Sequence, residues 1–283
     1  MRALPSRPHP FFLDGASGRL FAVHHRPADG VCRRGSILVV PAFNEEMNRC
    51  RSMLTLQAQA LARLGFGTLV LDLSGTGESD GHYGDARWDG WIDDIRRVRA
   101  WLDGPDGGGC AALLGVRLGV PLALDALAGD AAACPLAAWQ PVSDGRNYFT
   151  QFLRMRIAAN MDRTDIPKDT TAGMRARLAE GASIEVAGYE VAPALATAIE
   201  AVNLATRTPQ PGAPVAWFEK KTGEDAALLP ASAQVVSAWR AAGVEVAVGV
   251  FDAPAFWALH DRHTAPELIG LTAAWLDDVG RAA

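Results

Sequence analysis

Ala111-Ala112-Leu113-Leu114-Gly115-Val116-Arg117-Leu118-Gly119-Val120 passes from an apolar, strand-like run into a helix with no spare residue between them. A turn that sharp leaves no room for a Cβ at either flank, so glycine stands at 115 and 119. The central residue, Arg117, is then expected in a strained backbone conformation that lifts its side chain above the sheet. The spacing alone is a weak signal. Its position directly after a third buried strand gives it weight.

Working outward, Ile37-Leu38-Val39-Val40 ends at Pro41, and Thr68-Leu69-Val70-Leu71-Asp72-Leu73 runs into Ser74-Gly75-Thr76-Gly77-Glu78-Ser79-Asp80-Gly81. Continuous apolar runs of this length predict strands buried on both faces. Between them Leu54, Ala58, Leu61 and Leu64 share one helical face, which Gly65 ends. Trp88 to Leu102 carries the stripe Trp91, Ile95, Val98, Trp101 and Leu102, and Val120 to Leu127 forms a helix after the sharp turn. Phe11 to Leu13 and Arg19 to His25 predict an antiparallel hairpin at a sheet edge. Toward the C-terminus, Leu136–Trp139, Val215–Phe218 and Val244–Val248 continue the strands, and Pro266 to Val279 is the last helix. Alternation with short connections predicts an α/β class fold, a mostly parallel sheet with helices on both faces.

The alternation breaks between residues 145 and 211. Tyr148 to Met161 is amphipathic, with Phe149, Phe152, Leu153, Ile157 and Met161 on one side. A polar stretch follows, then a hairpin pattern over Ile184–Val191 and a helix from Pro193 to about Leu204. That insert is too long for an ordinary loop and predicts a helical lid over the sheet. The expected organisation is a core of 1–144 and 212–283 with a lid insertion at 145–211.

The chain has 283 residues, 49% of them hydrophobic, enough for one large core. A formal charge of -5 and a pI near 5.7 argue against nucleic acid or an anionic membrane surface as partner. Cys32, Cys50, Cys110 and Cys134 show no metal-ligand or disulfide spacing, so no metal is expected and the thiols are read as reduced. With neither a signal-like N-terminus nor a transmembrane-length apolar run, the expected location is the cytoplasm. Residues 72 to 81 lack the spacing of a phosphate-binding or dinucleotide-binding loop, so no cofactor is expected. Oligomeric state is not legible.

Pro41-Ala42-Phe43-Asn44-Glu45-Glu46-Met47-Asn48-Arg49, Asp72-Leu73-Ser74-Gly75-Thr76-Gly77-Glu78-Ser79 and Gly115-Val116-Arg117-Leu118-Gly119 together resemble the exosortase A system-associated hydrolases of the second type. So do Trp139-Gln140-Pro141-Val142, Phe152-Leu153-Arg154, Gly188-Tyr189 and Phe256-Trp257. The resemblance covers nearly the whole chain. It implies the α/β-hydrolase fold, an oxyanion loop after the first buried strand, and a setting beside exosortase and exopolysaccharide machinery.

In α/β-hydrolases the turn at 115–119 reads Gly-x-Ser-x-Gly, and the serine attacks. Arginine has no lone pair to attack with. The segment where the histidine belongs reads Phe251-Asp252-Ala253-Pro254-Ala255-Phe256-Trp257, and His260 and His263 follow a turn later. Asp225 lies where the acid of a Ser-His-Asp relay belongs. Arg117 is expected either to anchor an anion or to pair with Glu45 or Glu46, and the two roles are compatible. One glutamate activating water is the enzymatic alternative, with the Leu118 N–H serving an oxyanion. Phe43, Asn44, Leu118, Phe256 and Trp257 are the expected substrate contacts; Tyr148, Phe149 and Phe152 line a pocket or pack in the core. Ser79, Ser74 and Ser143 are candidate replacement nucleophiles, with Ser79 read first as a stabilising turn residue. Two functions follow: a hydrolase acting on an acyl ester or thioester through this unusual site, or a pseudo-hydrolase binding an acidic small molecule or a pathway protein.

Overall fold

The computed structural model describes residues 8–105, 107–130, 132–165, 168–223 and 227–282. The sheet begins with β1 (Pro8–Asp14) and β2 (Arg19–His25), the expected hairpin, followed by β3 (Ser36–Val40). After α1 (Glu45–Arg63) come β4 (Gly67–Leu71), α2 (Trp88–Asp103), β5 (Cys110–Val116), α3 (Gly119–Leu127) and β6 (Leu136–Trp139). The chain then forms α4 (Gly145–Ala159), α5 (Thr171–Ala179), the hairpin β7 (Ile184–Val186) and β8 (Tyr189–Val191), and α6 (Pro193–Glu200). It returns to the sheet with β9 (Val215–Lys220), α7 (Pro230–Ala241), β10 (Val246–Phe251) and α8 (Pro266–Ala282).

Eight strands lie in the order β1-β2-β4-β3-β5-β6-β9-β10. From β4 to β10 neighbours are parallel, while β1 and β2 are antiparallel additions at one edge. The period of two along β3 divides the core. Leu38 and Val40 face the side covered by α2 and α3, and Ile37 and Val39 face α1 and α8. Both layers are predominantly apolar, as the continuous apolar runs required.

Several boundaries differ from expectation. α1 starts at Glu45, well before Leu54. Met47, Cys50 and Leu54 already form its buried stripe, and the two glutamates in its first turn suit the positive end of the helix dipole. α5 and α7 were not legible: α5 buries only Met174 and Leu178, and α7 is diluted by alanines. Met161 is exposed beyond the end of α4, and β10 begins at Val246 because Gly243 ends α7 with a positive φ.

Candidate active site

β5 delivers the chain to Arg117 at the carboxyl end of the sheet, and Arg117 has φ 55. The glycines on either side are obligatory for space. A Cβ at 119 would lie 2.3 Å from the Val40 carbonyl oxygen, and one at 115 would lie 2.8 Å from the Val120 Cα. The elbow expected from the sequence is therefore formed, with an arginine at its tip.

The Arg117 side chain is 17% exposed, and its Nε donates to Glu46 Oε1 at 3.1 Å. Its Nη1 donates to the Gln140 carbonyl oxygen at 3.1 Å. The guanidinium lies between the rings of Tyr148 and Trp257, 5.5 and 5.4 Å from their centroids. The Tyr148 hydroxyl donates to the second Glu46 oxygen at 2.8 Å. Burial alone would lower the Arg117 pKa; the Glu46 carboxylate, with Tyr148, more than reverses it and holds the cation firmly charged. Tyr148 is pushed far up by burial and then by the facing Glu46, so its proton stays. Nη2 of Arg117 has no partner among the described residues.

A cleft of about 680 Å³ opens over this group. Arg117, Glu45, Glu46, Phe43, Asn44, Trp257 and His260 all line it. Tyr148, Phe152 and Met155 from α4 supply its apolar wall. Glu45 faces another way from its neighbour and accepts a hydrogen bond from the Tyr189 hydroxyl at 2.8 Å. Burial, then this carboxylate, pushes Tyr189 up to about 12.

The other expected site residues are placed differently. Phe256 lies beneath the cleft, packed edge-on against Trp139 and Trp257 in the core. Leu118 is buried and lines a smaller neighbouring pocket of about 220 Å³ with Phe43, Asn44, Tyr83 and Tyr189. Its N–H has no acceptor among the described residues. Phe149 is in the core. Ser79 is a turn residue: its Oγ donates to the Asp72 carbonyl oxygen and accepts from the Phe21 N–H. Ser143 lines the cleft without a histidine partner among the described residues, and His260 is exposed at the rim. Asp225 lies outside the described residues. Sequence reasoning missed Gln140, Tyr189, Arg49 and Ser232 as lining residues. Gln140 left one signal, its place before Pro141 at a strand end, where it adopts φ 44.

Solved structures share this architecture. Est1E from Butyrivibrio proteoclasticus, determined with ferulic acid bound, aligns with TM-score 0.62 at 13% identity over 95% of this chain and 96% of its own. The esterase domain of a Rhodothermus marinus protein gives 0.61 at 18% identity, covering 96% and 98%. XC6422 from Xanthomonas campestris, a serine hydrolase without a lid, gives 0.54 at 15% identity, covering 100% and 97%. No family model and no curated protein matches the chain. The chain has the α/β-hydrolase fold.

Proposed function

We propose that the cleft binds a small amphipathic acid in a protein of the exosortase-associated hydrolase type that works without a serine nucleophile. The anionic group sits on the open Nη2 of Arg117, and the apolar part lies along Tyr148, Phe152, Met155 and Trp257. One observation carries this reading: a charged, ring-clamped guanidinium stands where the nucleophile belongs, with Nη2 unpartnered among the described residues beneath a mainly apolar cleft. The segment 145–211 acts as the lid of this cleft, the protein works in the cytoplasm, and the exopolysaccharide-associated setting is the one that the resemblance implies. Calorimetric titration with octanoate and 4-phenylbutyrate tests it. Arg117→Met should weaken binding by about tenfold or more, the worth of one charge-assisted hydrogen bond. Equal affinity in wild type and variant sinks the proposal.

The Leu118 N–H, without an acceptor among the described residues, favours a second reading, hydrolysis of an acyl ester or thioester. Both Glu46 oxygens are engaged, whereas Glu45 has one oxygen outside its Tyr189 bond, so Glu45 is the water-activating candidate. Turnover of p-nitrophenyl butyrate that disappears in Glu45→Gln supports it. Labelling by a fluorophosphonate would instead reveal a serine nucleophile and overturn both readings.

A further inference from the structure

At the opposite end of the sheet, a second cavity of about 460 Å³ opens between the starts of β1 and β3, the end of β2 and the last turn of α2. It shares no lining residue with the Arg117 cleft. His9, His24, Arg26, Arg33 and Ser36 form its polar wall, and Phe11 and Trp101 its aromatic one. Among the described residues eleven arginines pair with carboxylates, as Arg34 does with Asp277 and Arg51 with Asp72. Arg26 and Arg33 are exposed and have no such partner, and the lining has no carboxylate, among the described residues; Asp106, between the lining Pro105 and Gly107, lies outside them.

The floor of this cavity is constructed. His24 is only 9% exposed, and its Nε2 meets Ser36 Oγ at 3.2 Å. The contact depends on Gly67 in β4, where a Cβ would lie 2.4 Å from Ser36 Oγ and 2.8 Å from His24 Nε2. Gly67 is outside the left-handed region, so space is the requirement it meets. Trp101 stands edge-on to His24 and packs 5.2 Å from the Phe11 ring. Burial first, and then the nearby Arg26, His25, His9 and Arg33, hold the His24 pKa down to about 4.

We propose that this cavity binds a small aromatic anion, its phosphate or carboxylate between Arg26 and Arg33 and its ring against Trp101 and Phe11. Guanidinium forks match such oxyanions, and the volume is that of a small-ligand pocket. No bond is made or broken.

Calorimetry on the full chain with phenyl phosphate, benzoate and inorganic phosphate tests the assignment, with circular dichroism confirming that each variant is folded. At least one aromatic anion should bind wild type, and Arg26→Ala/Arg33→Ala should weaken it by about tenfold or more. Trp101→Leu should reduce affinity for the aromatic ligand to that for inorganic phosphate. The same double variant should leave octanoate binding at Arg117 unchanged, which separates this site from the elbow cleft. Absence of binding by both aromatic anions at millimolar concentration, or full affinity in the double arginine variant, overturns the proposal. Equal affinity for inorganic phosphate overturns its aromatic half.

Discussion

Arg117 at φ 55 holds a backbone shape that glycine adopts readily and arginine does not. The surrounding elbow imposes it, and the side chain compensates through Glu46, Gln140 and two rings. Removing one member of a pair this enclosed strands the other. Arg117→Ala should therefore destabilise the fold by about 2–3 kcal/mol in urea unfolding, because Glu46 keeps its charge without a cation. Arg117→Met/Glu46→Gln should recover at least about half of that loss, since no net charge is left behind. A double variant as unstable as the sum of the singles would show that the two residues do not act together. The place of Arg117 at the elbow, and a glutamate as its partner, were legible from the glycine spacing together with the order of strands and helices around it. The sequence did not say which glutamate pairs, because that depends on α1 beginning at Glu45 and turning Glu45 toward Tyr189.

Glycine has contrasting meanings in different elements. At Gly119 the missing Cβ leaves room for the Val40 and Pro41 carbonyl oxygens, so Gly119→Ala drives β5 and α3 apart from β3. That variant should lose about 3 kcal/mol or more, read as a collapse of the urea midpoint. Gly270 in α8 has nothing within 4 Å of an added Cβ, so Gly270→Ala should stabilise by about 0.5–1 kcal/mol. Strands were the most legible elements, because burial on both faces writes an unbroken apolar run, as in β3. Helices anchored by two residues, such as α5 with Met174 and Leu178, leave too little periodicity to read. The cleft wall was half legible. Tyr148, Phe149 and Phe152 follow one another closely on α4, and sequence spacing does not say which of the three meets open space.

Across the whole molecule, stability should depend on pH through the lower end of the sheet. His24 titrates at about 4 when folded, against an ordinary value of 6.5, and burial lowers His25 as well. The unfolded chain therefore binds more protons between these values, so stability is full above 6.5 and declines as pH falls toward 4. The His24 contribution is on the order of 2–3 kcal/mol over that range. A melting-temperature profile from pH 8 to 5 should steepen below 6.5 in wild type and flatten in His24→Gln.

The two cavities also differ in how their charge is balanced. Glu46 already neutralises Arg117, so an acid approaching the elbow feels little attraction at a distance and gains its affinity only on contact. Arg26 and Arg33 stand uncompensated among the described residues and project a field into solvent. Raising sodium chloride from 50 to 500 mM, roughly a Debye length of 14 to 4 Å, should barely alter octanoate binding at Arg117. The same change should weaken an aromatic anion at the opposite end by about tenfold or more. Ionic strength thus becomes a label that tells, in a protein with both pockets intact, which end of the sheet a ligand occupies.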